Sequence, residues 1–283
     1  MAKRTYYMKV SIITINYNNH EGLQKTIDSI LAQTWRDFEW IVIDGGSTDG
    51  SKALLEQQQD HFAYWCSEPD KGVYNAMNKG IAKSRGEYLC FMNSGDIFYE
   101  EDTLMNVFSE EREADILYGD WLQVYEKHNQ LMHFPFPVEI YSFYQRNICQ
   151  QAMFVRSSLL KSNGFDESYQ IDADFKRWTQ AALNNNSFEF LNMVVCKYDM
   201  TGLSSTSPER VRIEMKRLRE EVYPQSVLLS MERLNQYEKR LSEYNSNYLI
   251  KYTYNLLYGS KVSRVITIFT LKVLHKLFCY DRR

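Results

Sequence analysis

Aspartates that directly follow apolar runs are the residues best suited to chemistry in this sequence. Residues 87–92 form a short apolar run rich in aromatic residues, and Asn93-Ser94-Gly95-Asp96 comes directly after it. Such a run predicts a strand buried on both faces in the middle of a parallel sheet. Its polar end then falls where open α/β sheets bind ligands. The Asp96 carboxylate is a hard oxygen ligand that suits Mg²⁺ or Mn²⁺. Taken alone, the four residues also fit a solvated turn.

The elements that must position this cluster alternate between strand and helix. β-Branched and apolar runs predict strands at residues 9–15, 38–43, 63–67, 87–92, 114–120 and 188–195. Apolar residues at helical spacing predict a helix at residues 21–33, and helices are also predicted at residues 51–59, 72–84 and 101–108. Residues 208–222 are predicted to form a charged helix whose charges mostly lie on a solvated face. Residues 121–137 contain two prolines and are predicted to form a loop. This order predicts a parallel α/β sheet with right-handed crossovers.

Composition narrows the class of protein. The chain has 283 residues, of which 44% are hydrophobic, and its formal net charge is −3, so no nucleic-acid partner is expected. The five cysteines show no Cys-x-x-Cys spacing, which indicates a reducing compartment rather than a zinc site or a disulfide framework. No long apolar segment follows the first residues, so no signal peptide is predicted and a cytoplasmic location is expected. The sequence leaves the oligomeric state open.

Glycines after the second predicted strand invite a phosphate-loop interpretation, which fails on spacing. No Gly-x-Gly-x-x-Gly follows the first predicted strand, and no Gly-Lys-Ser/Thr is present. The spacing therefore disfavours an enzyme that binds a nicotinamide cofactor or ATP.

Four motifs carry a resemblance to a known family. They are Thr14-Ile15-Asn16-Tyr17-Asn18, the run from Ile41 to Gly50, Asn78-Lys79-Gly80, and Arg85-Gly86 with the cluster that ends at Asp96. In order and spacing they resemble family 2 glycosyltransferases, above all those of bacterial capsule, exopolysaccharide and lipopolysaccharide assembly. The resemblance implies the GT-A nucleotide-diphospho-sugar transferase fold, a Rossmann-like, mostly parallel sheet flanked by helices. It also implies a catalytic domain at residues 1–207, with a nucleotide-binding half at 8–120 and an acceptor half at 121–207. Residues 208–283 would be a helical C-terminal extension.

The resemblance assigns a nucleotide-sugar site to the strand ends. The family's counterpart of Asp44 accepts the N3–H hydrogen bond of a uracil ring, although Asp44 also fits a helix cap. The residues expected to bind the donor are Thr14, Asn16, Asp44, Gly45, Asp70, Lys71, Asn75, Asn78, Asn93, Ser94 and Gly95. Asn75 and Asn78 are three residues apart, so they should face one side of a helix. Lys71 would offset charge on the leaving diphosphate, although it also fits a solvated surface lysine.

Two departures from the family pattern concern charge. Met77 stands where the family often has arginine, and Asn93-Ser94-Gly95-Asp96 stands where the usual metal motif is Asp-x-Asp-Asp. Only Asp96 is left to hold a metal. One carboxylate, two diphosphate oxygens and water can still complete an octahedral site, because Mg²⁺ keeps water ligands readily. We therefore expect Mg²⁺ or Mn²⁺ to bind at Asp96.

Residues 164–175 resemble the segment that delivers the family's catalytic base. Inverting transfer needs a carboxylate opposite the leaving diphosphate, to take the proton of the acceptor hydroxyl. Asp174 aligns with that base and Asp172 is the reserve candidate, with helix N-capping as the alternative role of either. Gln150 stands where the family has a histidine beside the acceptor, so no proton transfer is assigned to it.

The end of the chain combines basic and apolar side chains. Residues 259–283 carry six Lys or Arg and one Asp, and an apolar stripe repeats through residues 262–277 at helical spacing. The internal charges argue against a membrane span, which leaves an interfacial helix or packing onto protein. We expect either a cytoplasmic protein or one bound peripherally to the inner face of the cytoplasmic membrane.

The leading hypothesis is an inverting glycosyltransferase that takes a hexosyl or N-acetylhexosaminyl group from a nucleotide-sugar donor, expected to be a UDP-sugar. The acceptor would be a hydroxyl of a glycan or a lipid-linked molecule. Two alternatives remain open. A nucleotidyltransferase of related fold would need a basic glycine-rich loop near the first strand, which residues 16–20 lack. A catalytically impaired glycan-binding or assembly protein is favoured by the missing carboxylates at positions 93 and 95.

Overall fold

A computed structural model describes residues 8–246, which form two compact units that divide after Tyr223. The strands, all in the first unit, are β1 Val10–Asn16, β2 Phe38–Asp44, β3 Tyr64–Ser67, β4 Tyr88–Phe91, β5 Ile97–Phe98, β6 Ile116–Val124, β7 Asn129–Met132, β8 Met153–Arg156 and β9 Phe188–Asp199. The helices of this unit are α1 His20–Leu31, α2 Ser51–Gln57, α3 Val73–Lys83, α4 Thr103–Phe108, α5 Ile140–Gln145, α6 Ser157–Asn163, α7 Ala173–Leu183, α8 Leu203–Thr206 and α9 Pro208–Val222. Helix α10 Gln225–Ser246 lies in the second unit.

The described strands join one mixed sheet in the order β3-β2-β1-β4-β8-β6-β9-β5, with β7 paired to β6. Strands β3, β2, β1 and β4 are parallel to one another, as the alternation of strand and helix predicts. Strand β8 is antiparallel to both β4 and β6, and β6 is parallel to β9. Every residue of β1 and β4 is buried, because helices such as α3 pack on the parallel half. The fold class is confirmed as α/β.

The parallel half brings polar strand ends to one edge of the sheet. Asn16 at the end of β1 is in register with Asp44 at the end of β2, and Asp44 is in register with Ser67 of β3. After β4, the backbone N–H of Ser94 donates to the carbonyl of Ile15 at 3.1 Å. The loop at residues 93–96 is thereby held against the end of β1, as expected for parallel strands whose carboxyl ends share an edge.

Two predictions about the strands are wrong. Strand β4 is buried, but it does not lie in the middle of a parallel sheet, because its second partner is the antiparallel β8. Residues 121–137 are not all loop, since β6 continues to Val124 and β7 returns beside it with Met132 paired to Trp121. Pro135 and Pro137 follow this hairpin and therefore do not interrupt it.

Helix α9 belongs to the first unit, beyond the boundary that the sequence analysis draws after residue 207. Its many charges predict a solvated face, yet Glu214 is buried and accepts hydrogen bonds from the backbone N–H groups of Gln170, Ile171 and Asp172 at 2.9–3.0 Å. The helix therefore fixes the segment that leads into α7. The functional division between residues 8–120 and 121–207 stays a prediction.

In the second unit, α10 agrees with the helical tail predicted from the sequence. Among its large apolar side chains, Leu229, Leu234, Tyr237 and Leu241 are exposed. Within residues 8–246, no helix has the length and apolar character needed to cross a membrane. The predicted interfacial stripe at residues 262–277 lies outside the described residues.

Candidate functional site

A cavity of about 1100 Å³ lies at the carboxyl edge of the parallel strands. Residues that follow β1, β2 and β4 or precede α3 contribute to its lining, among them Asn16, Tyr17, Gly45, Asp70, Asn93, Ser94 and Asp96. Residues from the second half of the first unit complete it, among them Asn147, Gln150, Gln151, Asp172, Asp174 and Asp199. The cavity thus brings together predicted donor ligands, the predicted metal ligand and both candidate bases.

Asp44 is fully buried and does not line the cavity. Its carboxylate accepts four hydrogen bonds at 2.6–2.9 Å, from the Asn16 amide, the Ser47 hydroxyl and backbone N–H, and the Ser67 hydroxyl. Burial raises the pKa of this carboxyl, but the hydrogen bonds from Ser47, Ser67 and Asn16 outweigh burial and hold the pKa below its ordinary value. Asp44 is therefore an ionised anchor that orients Asn16. The direct contact with a base that the resemblance implies stays a prediction.

Three further residues expected to bind the donor also lie outside the lining. Thr14 precedes the end of β1 by two residues, and its buried hydroxyl accepts the indole N–H of Trp40 at 3.0 Å. Lys71 is exposed, and its backbone N–H donates to the Asn75 side chain. Gly95 has a φ of +104°, and a Cβ there would lie 3.1 Å from the carboxylate of Asp199. Contact between these three residues and the donor stays a prediction.

Asn75 and Asn78 face one side of α3, as predicted, but they bind protein rather than the cavity. Both side-chain amides donate to the Glu167 carboxylate at 2.9 Å. Asn78 also exchanges two hydrogen bonds with the backbone of Phe165, at 2.9 and 2.8 Å. The pair fixes residues 165–167 onto α3, and its expected contact with the donor stays a prediction.

Asp96 lines the cavity but is only 4% exposed. Its Oδ2 accepts the side-chain amide of Gln151 at 2.8 Å, and its Oδ1 accepts the backbone N–H of Asp199 at 2.9 Å. Burial outweighs these hydrogen bonds and, with the nearby charge of Asp199, raises the pKa of Asp96 to about 8. Asp199 is a second carboxylate on the cavity wall that the sequence analysis does not identify.

The two candidate bases differ in their hydrogen bonds. Asp174 accepts the Tyr74 hydroxyl at 2.8 Å on one oxygen and the Asn147 amide at 3.0 Å on the other. Burial raises the pKa of Asp174, and these hydrogen bonds oppose that rise. Asp172 is 8% exposed, and its Oδ2 has no hydrogen-bond partner within residues 8–246. Burial, with the charges of Asp174 and Glu214, raises the pKa of Asp172 to about 7.

Helix capping does not explain Asp172. It is the N-cap residue of α7, yet its side chain makes no capping hydrogen bond. The Oδ2 atom is thus buried and without a hydrogen-bond partner among the described residues. At the position of the family's histidine, the side-chain amide of Gln150 donates to the sulfur of Met77 at 3.6 Å.

Sequence reasoning misses four residues that hold the carboxylates of the site: Tyr74, Asn147, Gln151 and Asp199. Tyr74 lies on the apolar face of a helix, a position that predicts a buried core residue. Gln151 and Asn147 lie close in sequence to Gln150, which the sequence analysis places at the position of the family's histidine. That proximity is the sequence feature that could have identified them as site residues. Asp199 is missed because the predicted strand stops at residue 195, whereas β9 continues to Asp199 and carries it to the cavity.

The charges on the cavity lining are of one sign. Its acidic side chains are Asp70, Asp96, Asp172, Asp174 and Asp199, of which Asp96, with a pKa raised to about 8, is mostly protonated at neutral pH. In the part of the chain that the structure describes, no lysine or arginine lines the cavity. Lys79 instead pairs with Glu68 at 2.9 Å. A diphosphate in this cavity would be repelled unless a cation accompanied it.

Comparison with known proteins agrees with this architecture. A family model described as glycosyl transferase family 2 matches residues 11–159. An uncharacterized glycosyltransferase of Mycobacterium tuberculosis is 36% identical over 217 residues, which cover 74% of this chain and 82% of the relative. A PGL/p-HBAD biosynthesis glycosyltransferase of Mycobacterium bovis is 32% identical over 206 residues, which cover 69% of this chain and 79% of the relative.

Solved structures share the fold at lower identity. TarS of S. aureus, in complex with UDP, matches with a TM-score of 0.60 and 21% identity, over 75% of this chain and 64% of the TarS chain. The mannosyltransferase PcManGT from Pyrobaculum calidifontis, in complex with GDP-Man and Mn²⁺, matches with a TM-score of 0.57 and 15% identity, over 99% of this chain and 92% of its own. From the family match over more than half of its length, and from relatives above 30% identity, the chain belongs to glycosyl transferase family 2 and is a glycosyltransferase with the GT-A fold.

Proposed function

We propose that this glycosyltransferase moves a sugar, with inversion, from a UDP-sugar to a hydroxyl of a glycan or lipid-linked acceptor. The observation that carries the proposal is one cavity lined both by Asp96, which follows β4, and by the separate pair Asp172 and Asp174. A single displacement needs charge stabilisation at the leaving diphosphate and a base for the acceptor. In this proposal, Asp96 serves the leaving diphosphate and the pair Asp172 and Asp174 supplies the base.

The acidic lining supports a divalent cation as the companion of the donor. Asp96 and Asp199 both line the cavity, but no group of three or more His, Cys, Asp or Glu within residues 8–246 could hold a metal by itself. These side chains fit an ion whose coordination is completed by diphosphate oxygens and water. When bound, Mg²⁺ or Mn²⁺ would offset the negative charge that develops on the diphosphate. The complex of PcManGT with Mn²⁺ supports this assignment.

The base in this proposal comes from α7. As the acceptor oxygen bonds to C1 of the sugar, the bond from C1 to the diphosphate oxygen breaks and its electron pair leaves with UDP. The proton of the acceptor hydroxyl passes to an aspartate carboxylate. Asp174 is the base that the resemblance implies, and the unpaired Oδ2 of Asp172 makes Asp172 the rival on geometric grounds. Tyr74 and Asn147 position Asp174.

The acceptor and location are proposed from the sequence. The motifs resemble those of enzymes that assemble bacterial surface polysaccharides, so we place the acceptor among glycans or lipid-linked intermediates of such a pathway. The basic residues within 259–283 would hold the protein peripherally at an anionic membrane surface. TarS structures with UDP and with UDP-GlcNAc support the choice of UDP as nucleotide.

The test is release of UDP from a panel of UDP-sugars in the presence of Mn²⁺, with GDP-mannose included. We expect slow release with water as acceptor from one donor, loss of release with chelator, and recovery on adding Mn²⁺. Pyrophosphate release from UTP and a sugar phosphate would instead identify a nucleotidyltransferase. Glycan binding without release from any donor would identify an assembly protein and refute the proposal.

A further inference from the structure

One wall of the cavity is acidic. The lining residues from 121 to 211, which we call the acidic wall, include the aspartates Asp172, Asp174 and Asp199. Among the residues that the structure describes, no lysine or arginine belongs to this wall. Burial, with the charges of Asp174 and Glu214, raises the pKa of Asp172 to about 7. The wall is therefore electronegative at the two candidate bases, where the acceptor has to lie.

Two buried oxygens of the acidic wall lack a hydrogen-bond donor. Oδ2 of Asp172 and Oδ1 of Asn147 have no partner within residues 8–246, and both side chains line the cavity. The Asn147 amide nitrogen donates to Asp174 at 3.0 Å, so the amide oxygen is the atom left unpaired. An ionised carboxylate and an amide oxygen only accept hydrogen bonds. The missing partners are therefore two O–H or N–H groups.

A sugar residue offers two such groups side by side. Its ring carries hydroxyl groups on neighbouring carbons, whereas an alcohol with one hydroxyl could satisfy only one of the two oxygens. The reacting hydroxyl has to lie at the base, and Asn147 is bonded to Asp174, so the neighbouring hydroxyl falls near the Asn147 oxygen. Trp121 belongs to the same wall and presents aromatic surface to the C–H groups of a ring. The wall thus matches a sugar better than a simple alcohol.

Charged acceptors fit the acidic wall less well than an uncharged sugar. A phosphate or carboxylate group would be repelled by the aspartates, and it accepts hydrogen bonds where donors are needed. A protonated amine would be attracted, but its charge would lower the pKa of the adjacent aspartate and make that aspartate a weaker base. An uncharged sugar has the donors without either cost.

We propose that the acidic wall selects an uncharged sugar residue as acceptor, with two adjacent hydroxyl groups. One hydroxyl reacts at Asp172 and Asp174 and gives its proton to an aspartate, while its neighbour donates to Oδ1 of Asn147. The inference rests on the proposed function, since it takes these two aspartates to face the acceptor. It narrows the acceptor from any hydroxyl to a neutral diol and makes Asn147 a residue that determines specificity.

Transfer to defined glycosides tests the choice of acceptor. The donor is the UDP-sugar that the unaltered chain hydrolyses, and the acceptors are p-nitrophenyl glycosides of hexoses, 6-deoxyhexoses and N-acetylhexosamines. The best of them is compared with its 6-phosphate and uronic acid analogues and with the analogue that lacks the hydroxyl next to the reacting one. We expect kcat/KM to fall about tenfold or more for the anionic analogues and about tenfold for the deoxy analogue.

Two variants separate the hydrogen bond from the charge. Asn147→Ala should bring the ratio between glycoside and deoxy analogue from about tenfold towards one, and the ratio cancels any general loss from a misplaced Asp174. Gln170→Lys places a cation on the acidic wall, because Gln170 is exposed and lines the cavity, and it should improve the anionic analogues by about tenfold relative to the glycoside. Gln57→Lys is the matched control, since Gln57 is exposed and lies outside the lining.

Each outcome bears on the inference. Equal kcat/KM for the glycoside and its anionic analogues, an unchanged ratio in Asn147→Ala that still binds UDP, or transfer to none of the uncharged glycosides would overturn it. In these cases the release of UDP from the donor still upholds a transferase. Failure of the unaltered chain to release UDP from any donor would overturn the proposed function and the inference together.

Discussion

Replacement of Glu214 by alanine should destabilise the segment that carries the two candidate bases. The Glu214 carboxylate accepts three backbone N–H groups, from Gln170, Ile171 and Asp172. Ile171 and Asp172 are buried, whereas Gln170 is exposed and its N–H can bind water instead. The alanine variant therefore leaves two buried donors without acceptors.

The expected cost follows from these two donors. An unsatisfied buried N–H costs about 1–3 kcal/mol, so the free energy of unfolding should fall by about 2–4 kcal/mol once some relaxation is included. A second effect concerns protonation. Burial raises the pKa of Asp172 to about 7, and the charges of Asp174 and Glu214 contribute to the rise. Loss of the Glu214 charge should therefore lower the pKa of Asp172 and shift any dependence of turnover on this group to lower pH.

Urea unfolding followed by circular dichroism measures the first effect, and the pH dependence of UDP release measures the second. Glu220→Ala is the matched control on α9, because Glu220 is exposed and its pair with Lys216 is 3.8 Å long. Exposed pairs of this kind contribute about 0–1 kcal/mol. A Glu214→Ala protein as stable as the Glu220→Ala protein would refute the proposed clamp of α9 on the base segment.

Three other outcomes can be measured. Turnover should rise with pH through about 7, because burial raises the pKa of Asp172 to about 7 and a base acts only when it is deprotonated. Asp172→Asn should abolish this dependence on pH. If Asp174→Asn abolishes the dependence and Asp172→Asn does not, Asp174 is the base. Asp96→Ala should abolish the strengthening of UDP binding by Mn²⁺ in calorimetry, and an undiminished effect of Mn²⁺ would exclude Asp96 as a ligand. A chain ending at Tyr258 should stay in solution with anionic liposomes that sediment the full chain, since each Lys or Arg near such a surface contributes ~1 kcal/mol; equal sedimentation would contradict the membrane proposal.

The parallel half of the fold could be predicted from the sequence because each of its strands is a local pattern. Apolar runs with polar ends mark β1, β2 and β4, and parallel strands bring those ends together without further information. The shared cavity of Asn16, Gly45 and Asp96 follows from that rule. The second half resists prediction because its strands are antiparallel or irregular. Strand β8 is only four residues long, and β6 pairs with β9 through register shifts.

The sequence predicts which residues lie near the site better than it predicts the role of each side chain. Asp44 is buried and saturated because Ser47 and Ser67, one of them 23 residues away, supply hydroxyl donors. Asn75 and Asn78 follow the predicted helical spacing, but the spacing does not reveal that Glu167 lies opposite them. Glu214 resembles its solvated neighbours in sequence and differs only in what the fold places beside it. In each case the deciding partner is distant along the chain.

The antiparallel pairing of β8 with β4 has a consequence for how acceptor preference can evolve. Parallel strands require long crossovers, so the connections on the β1 side of β4 are whole helices packed on the sheet. Antiparallel strands accept connections of almost any length. Insertions and deletions on the β8 side can therefore reshape the second half of the cavity without shifting β1 or β4, and Asp96 stays in place as long as Gln151 and the backbone of Asp199 still donate to its carboxylate. Related enzymes with this architecture can therefore differ in the acceptor they use while they retain the same donor-binding half.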